Sequence, residues 1–188
     1  IVLDILTEAL EPAGYEIVPI YYPYLRRIPE YKNGFVDVVC DININIIEDN
    51  NLEGFLSDDA YAYENFAFSL KEKGYQFKHL NELGNLSLLS WQGAISQLGG
   101  EYAKMAINNP FYFETDRQEA QIQMLFLKRV DVVQLDKQIF NYFRSKVGQK
   151  GVIDTTVEVD SFALFGKSPI GFLFNDEKVR DEFNRQLK

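Results

Sequence analysis

Residues 128–143 read Lys-Arg-Val-Asp-Val-Val-Gln-Leu-Asp-Lys-Gln-Ile-Phe-Asn-Tyr-Phe, and this stretch decides the fold. A basic turn leads into a short apolar run that ends at Asp136, where a helical pattern begins. An Asp at such a junction can cap the helix by accepting from its free N–H groups. It also lies at the carboxyl end of a strand, where α/β sheets place their ligands. The stretch therefore predicts strand, carboxylate and helix, with Asp136 as a cap or a ligand contact.

A second copy of this pattern lies in the first half of the chain. Residues 34–41 read Gly-Phe-Val-Asp-Val-Val-Cys-Asp, so a buried-type strand again ends at an aspartate, Asp41. Helical and strand patterns alternate along the whole chain, which predicts an α/β fold with mostly parallel strands. Residues 15–21 are expected to form a strand, and residues 41–59 a polar loop. The two matching strand ends favour two lobes that face a cleft.

Length and composition limit the classes of function. The 188 residues are 46% hydrophobic and 14% aromatic, which is enough for one compact domain or two small lobes. The formal net charge of −9 disfavours nucleic acid and anionic lipid as partners. Cys40 is the only cysteine, so no intrachain disulfide can form. With one cysteine and one histidine we expect no zinc cluster. No motif in the sequence predicts another metal or a cofactor, and we expect neither.

The sequence contains no run of about 18 apolar residues, so we expect no membrane span. It starts at Ile1, already inside a helical pattern, which favours a processed or truncated chain from which a signal peptide has been removed.

Several side chains are candidates for ligand contact, each with a plainer alternative. Trp91 ends a predicted strand and either stacks on a ligand or packs in the core. Tyr22 belongs to an aromatic group around Pro23 that either lines a cleft or forms a core stripe. Asn43 either hydrogen-bonds a polar ligand or makes a local turn.

Taken in order, the segments resemble the bacterial extracellular solute-binding proteins of family 3, the periplasmic receptors of polar amino-acid importers. Residues 2–39 resemble the first lobe, residues 57–74 the segment that leads to the first crossover, and residues 82–99 a second-lobe strand and turn. Residues 129–143 resemble the late strand-Asp-helix, and residues 162–188 the return to the first lobe. The similarity covers nearly the whole chain.

This resemblance implies a two-lobed periplasmic-binding-protein-like fold of type II, with a ligand cleft between the lobes. Lobe one is expected at 1–67 and 161–188, and lobe two at 68–160, with the family's N-terminal strand missing. The implied function is an extracytoplasmic receptor, not an enzyme, that binds a small polar solute by hinge closure. The implied partner is the membrane permease of an ABC importer, the location is the periplasm, and the protein is expected to be a monomer.

The resemblance also assigns site residues. Asp136 matches the family's amine-binding carboxylate. Gly93 heads the turn Gly93-Ala94-Ile95, where the family has Gly-Thr-Thr, and residues 41–48, which begin with Asp41, lack the family's carboxylate-binding Arg. The site is therefore expected to hold a cation and to be poorly equipped for an α-carboxylate, so a solute that bears an amine is favoured.

An anion contact from an unusual direction would need another arginine. Arg26 and Arg27, next to Tyr22, are the candidates, and the plainer alternative is that both are solvated helix residues.

Two alternative functions remain at this point. The same two-lobed domain could be the ligand-sensing part of a membrane kinase or cyclase. A minor alternative is a dehydratase-like enzyme in which Asp136 and Asp41 act as an acid/base pair.

Overall fold

The computed structural model describes residues 1–187, and the chain divides into two compact units. Unit 1 consists of Ile1–Tyr63 and the segment that starts at Ser168, and unit 2 is the continuous stretch Glu64–Lys167. The resemblance implies lobes at 1–67 with 161–188 and at 68–160, and these bounds stay a prediction. In chain order the helices and strands are α1 (Val2–Leu10), α2 (Arg27–Lys32), β1 (Val38–Ile42), α3 (Ile44–Asn50), β2 (Phe55–Leu56), β3 (Tyr61–Leu70), β4 (Leu88–Trp91), α4 (Ala94–Gln97), α5 (Gly100–Asn108), β5 (Tyr112–Thr115), α6 (Gln118–Phe126), β6 (Val132–Asp136), α7 (Lys137–Gln149), β7 (Val159–Phe162), β8 (Lys167–Phe174) and α8 (Glu177–Gln186).

Unit 1 is built around β8, which pairs antiparallel with both β1 and β2. The apolar residues of α1 recur at helical spacing, so one face of the helix is buried. That face packs with Phe172, Phe174 and Phe183 in one core cluster, and a second cluster joins α2, α3 and β1 through Ile28, Ile42 and other apolar side chains. Val39 and Ile42 of β1 belong to this second cluster, and Asp41 lies between them in the chain.

Unit 2 has parallel and antiparallel strands. β4 pairs in parallel with β5 and with β6, and the shared register places Ser90 level with Glu114 on one side and Gln134 on the other. β3 runs antiparallel to β6 and to β7. The expectation of mostly parallel strands is therefore wrong, because the pairs of unit 1 are antiparallel and β3, arriving from unit 1, runs against β6.

Two local predictions need correction. Residues 15–21 form no strand, and Val18 and Tyr21 are 71% and 82% exposed. Residues 41–59 are not simply a loop, because they contain α3 and β2. In unit 2, α4 and α5 are separated at Gly99, whose φ of 89° lies in the left-handed region that favours glycine.

A membrane-spanning helix would have to be long and continuously apolar. Within residues 1–187, none of the helices meets both conditions.

Candidate functional site

Asp136 ends β6 and caps α7, as the sequence predicts. Its Oδ1 accepts from the backbone N–H groups of Gln138 at 2.8 Å and Ile139 at 3.1 Å. Its Oδ2 accepts from the backbone N–H of Glu64 on the neighbouring strand β3, at 2.8 Å. The side chain is buried, and the ion pairs found among residues 1–187 include none with Asp136. Backbone amides alone therefore hold this carboxylate, and its role as a ligand contact stays a prediction.

Gly93 lies in the turn between β4 and α4, with a φ of 99°. The half-buried side chain of Glu114, on β5, reaches this turn. One carboxylate oxygen accepts from the N–H of Gly93 at 2.8 Å and the other from the N–H of Ile95 at 2.9 Å. Two amides of the turn are thus satisfied by a carboxylate of the same chain. The sequence analysis did not name Glu114, because it lies about 20 residues from its partners and no local pattern marks it.

A series of hydroxyl groups lies behind Glu114. The hydroxyl of Tyr112 donates to the same carboxylate at 2.7 Å, Tyr102 hydrogen-bonds Tyr112, and Ser90 hydrogen-bonds Tyr102. Burial raises the pKa of Tyr102 to about 12, and burial together with the neighbouring Tyr102 and Glu114 raises that of Tyr112. Both phenols therefore stay protonated near neutral pH, and Tyr112 is held as a donor toward Glu114.

Trp91 is half-buried at the end of β4, two residues before Gly93. It packs against both core clusters of unit 2. These contacts account for its place in the fold, and ligand stacking by Trp91 stays a prediction.

Asp41 occupies a bulge of β1, where the pairing with β8 shifts register. Its φ of 59° is left-handed, a conformation that Asp tolerates better than most residues do. Oδ1 accepts from the hydroxyl of Tyr63 at 2.8 Å, and the thiol of Cys40 lies 3.6 Å from Oδ2. Burial and the charge of Asp41 raise the pKa of the Cys40 thiol to about 12, so this cysteine is a poor nucleophile at neutral pH.

Arg27 holds the backbone at this bulge. Its guanidinium donates to the carbonyl oxygens of Tyr24, Cys40 and Asp41 at 2.6, 3.1 and 3.0 Å and lies over the ring of Tyr24. Only 8% of Arg27 is exposed, so the expectation of a solvated helix residue is wrong here. A guanidinium with three carbonyl acceptors supports the fold of unit 1 directly.

Arg26 is in a different environment. Its side chain is 66% exposed, pairs with Glu30 at 2.9 Å and lies 5.9 Å from the centroid of the Tyr22 ring. Ligand contact by Arg26 and by Tyr22 stays a prediction.

Asn43 caps α3, because its Oδ1 accepts from the N–H of Ile46 at 3.0 Å. The sequence analysis offered a local turn as the alternative to a ligand contact; the local contact observed is a helix cap, and ligand contact by Asn43 stays a prediction.

Within unit 1 the structure brings together Asp41, Tyr63 and Arg27, and within unit 2 the turn at Gly93 and Glu114. Across the part of the chain that the structure describes, no group of three or more His, Cys, Asp or Glu side chains is placed to hold a metal ion.

Comparison with known proteins rests on solved structures, since no family model and no curated protein matches the chain. A variant of arginine-bound ArgBP from T. maritima matches with a TM-score of 0.76 and 16% identity, covering 100% of this chain and 83% of that one. The substrate-binding protein of an amino acid ABC transporter matches with 0.70 and 12%, covering 98% and 78%. An ancestral amino-acid-binding protein, a precursor of cyclohexadienyl dehydratase, matches with 0.71 and 14%, covering 98% and 76%.

At these identities the likeness shows the fold. The predicted α/β fold of the periplasmic-binding-protein type is confirmed, and with it the resemblance to family 3 at the level of the fold. These similar structures are of binding proteins, one of them an ancestor of an enzyme.

Proposed function

We propose that the chain is an extracytoplasmic receptor for a small polar solute that carries an amine. In this proposal it traps the solute by hinge closure, acts as a monomer in the periplasm and delivers the solute to the permease of an ABC importer. The observation that carries the proposal is the fold shared with an arginine-bound protein and with the substrate-binding protein of an amino acid ABC transporter.

The chemistry of unit 2 favours a cationic group on the solute. Asp136 and Glu114 lie at or near the carboxyl ends of β6 and β5, where α/β sheets bind their ligands. Within residues 1–187 neither carboxylate has an ion-pair partner. A carboxylate has about four acceptor positions, so each of these can accept from an ammonium or guanidinium group in addition to its present donors.

The solute class is tested on natively extracted protein. Mass spectrometry of the small molecules that co-purify identifies the solute, and calorimetry with that compound measures its affinity. We expect an amine or guanidine. Asp136→Asn is expected to bind it about 30-fold or more weakly, because a buried charged contact loses its charge.

Unchanged affinity in a folded Asp136→Asn protein would leave Asp136 as a helix cap alone. Recovery of a solute without any cationic group would contradict the proposed class, and turnover of the solute would favour an enzyme.

A further inference from the structure

The carboxylate of Glu114 accepts from two N–H groups of the Gly93 turn. Without Glu114, these N–H groups would be free to bind an anion. The two oxygens of Glu114 accept separately from Gly93 and Ile95, at 2.8 and 2.9 Å. Successive backbone N–H groups that converge in a turn are a common anion-binding arrangement in proteins. Here both amides are already paired with an acid from β5.

A series of hydrogen-bonded hydroxyl groups fixes the position of the Glu114 carboxylate. Tyr112 donates to the Oε1 of Glu114, and through Tyr102 the connection reaches Ser90, which is fully buried. The parallel register places Glu114 of β5 level with Ser90 of β4, so the series of hydroxyl groups starts and ends on two neighbouring strands. A side chain fixed by the sheet on one side and by the turn on the other has little freedom to leave.

Once Glu114 is paired with the two amides, the Gly93 turn presents a negative charge to a solute. With both amides paired to Glu114, a second carboxylate approaching the turn meets a negative charge and loses the two N–H donors. An ammonium or guanidinium group meets a carboxylate that has acceptor positions left. Like charges repel and unlike charges attract strongly when they are partly removed from water.

We propose that Glu114 determines the specificity of the site: it fills the two amides of the Gly93 turn, rejects a carboxylate on the solute and selects a cationic group. This inference rests on the proposed receptor function and names the charge that the receptor accepts. It assigns the selectivity to a residue of β5, not to the turn itself.

Two solutes that differ only in a carboxylate test the proposal. Agmatine is arginine without its α-carboxylate, so the ratio of their dissociation constants isolates that group. Calorimetry on the wild-type protein is expected to show tighter binding of agmatine, by about tenfold or more. In Glu114→Gln the ratio is expected to fall toward one. Glu158→Gln, which removes the same charge at an exposed position of unit 2, is expected to keep the wild-type ratio.

A folded Glu114→Gln protein with the wild-type ratio overturns the proposal. Tyr112→Phe removes the hydroxyl that donates to Glu114 and keeps the charge of Glu114. We expect this variant to keep the wild-type ratio, which would show that the charge, and not the hydrogen bond from Tyr112, sets the selectivity.

A second measurement on the wild-type protein needs no variant and no known solute. The amide resonances of Gly93 and Ile95 are followed by NMR while sodium acetate is added. We expect no saturable shift, because Glu114 already occupies both amides, and a saturable shift of both overturns the proposal. If neither agmatine nor arginine binds, the proposed solute class loses support, and the acetate titration still decides the role of Glu114.

Discussion

Asp136 ends β6 in unit 2, and Asp41 lies one residue before the end of β1 in unit 1, but the structure uses the two aspartates differently. Asp136 accepts three backbone N–H groups, and two of them belong to the helix that starts at the next residue. Asp41 lies in a left-handed bulge and accepts from Tyr63, while the following helix is capped by Asn43. The spacing between strand and helix explains the difference: an aspartate caps a helix only when the helix begins directly after it.

The largest effect on stability is expected for Asp136→Ala. It leaves the N–H groups of Glu64, Gln138 and Ile139 without their acceptor in a buried place, and we expect a loss of about 3 kcal/mol in the free energy of unfolding. Urea denaturation measures it.

Asp176→Ala is the matched control for Asp136→Ala. Asp176 caps α8 by accepting from Lys178 and Val179, but it lies at an exposed helix end and does not bind a neighbouring strand. We expect about 1 kcal/mol for this variant. Equal losses for the two variants would show that Asp136 is no more than an ordinary cap.

Asn43→Ala tests whether Asn43, and not Asp41, caps α3 in unit 1. The N–H of Ile46 loses its acceptor, and the expected loss is about 1 kcal/mol in the free energy of unfolding. Asn45→Ala is the control, since Asn45 is exposed on α3 and is expected to change stability very little. If the two substitutions had the same effect, Asn43 would not be the cap that the structure describes.

The smallest effect is expected for Asp41→Gly. Glycine adopts the left-handed backbone without cost, which offsets the lost hydrogen bond from Tyr63, so the net change is expected to stay within about 1 kcal/mol of zero. Asp41→Ala loses the hydrogen bond and keeps a strained backbone, and we expect it to be less stable than Asp41→Gly by about 1 kcal/mol. Thermal unfolding of the pair measures the difference, and a more stable alanine variant would contradict the strain at this position.

The sequence predicts those helices and strands whose apolar pattern and cap residue lie within one short stretch of the chain. The strand and helix that meet at Asp136 were predicted because apolar run, cap residue and helical period follow one another without interruption. The helix α3 was missed because Ile42, Ile44 and Ile46 alternate with asparagines and suggest a strand period. In the structure the cap contact from Asn43 and the burial of Ile46 belong to a helical arrangement.

The candidate site was less accessible to sequence reasoning than the fold. The sequence shows that Ala94 and Ile95 carry no hydroxyl, but the carboxylate that accepts from the amides of Gly93 and Ile95 comes from another strand. Likewise, Arg27 looks like a surface residue of a short helix, and its burial depends on the carbonyl groups of Cys40 and Asp41. Contacts between residues far apart in the chain leave no periodic signal for a sequence to show.

The division of unit 1 into two separate stretches has a consequence for the order of folding. Val38 of β1 pairs with Phe174 of β8, so this contact closes a loop that contains all of unit 2. Contacts so distant in sequence form slowly, whereas the strands and helices of unit 2 lie within one continuous stretch. During synthesis we therefore expect unit 2 to fold first, and β1 to remain without its partner strand until β8 has been made.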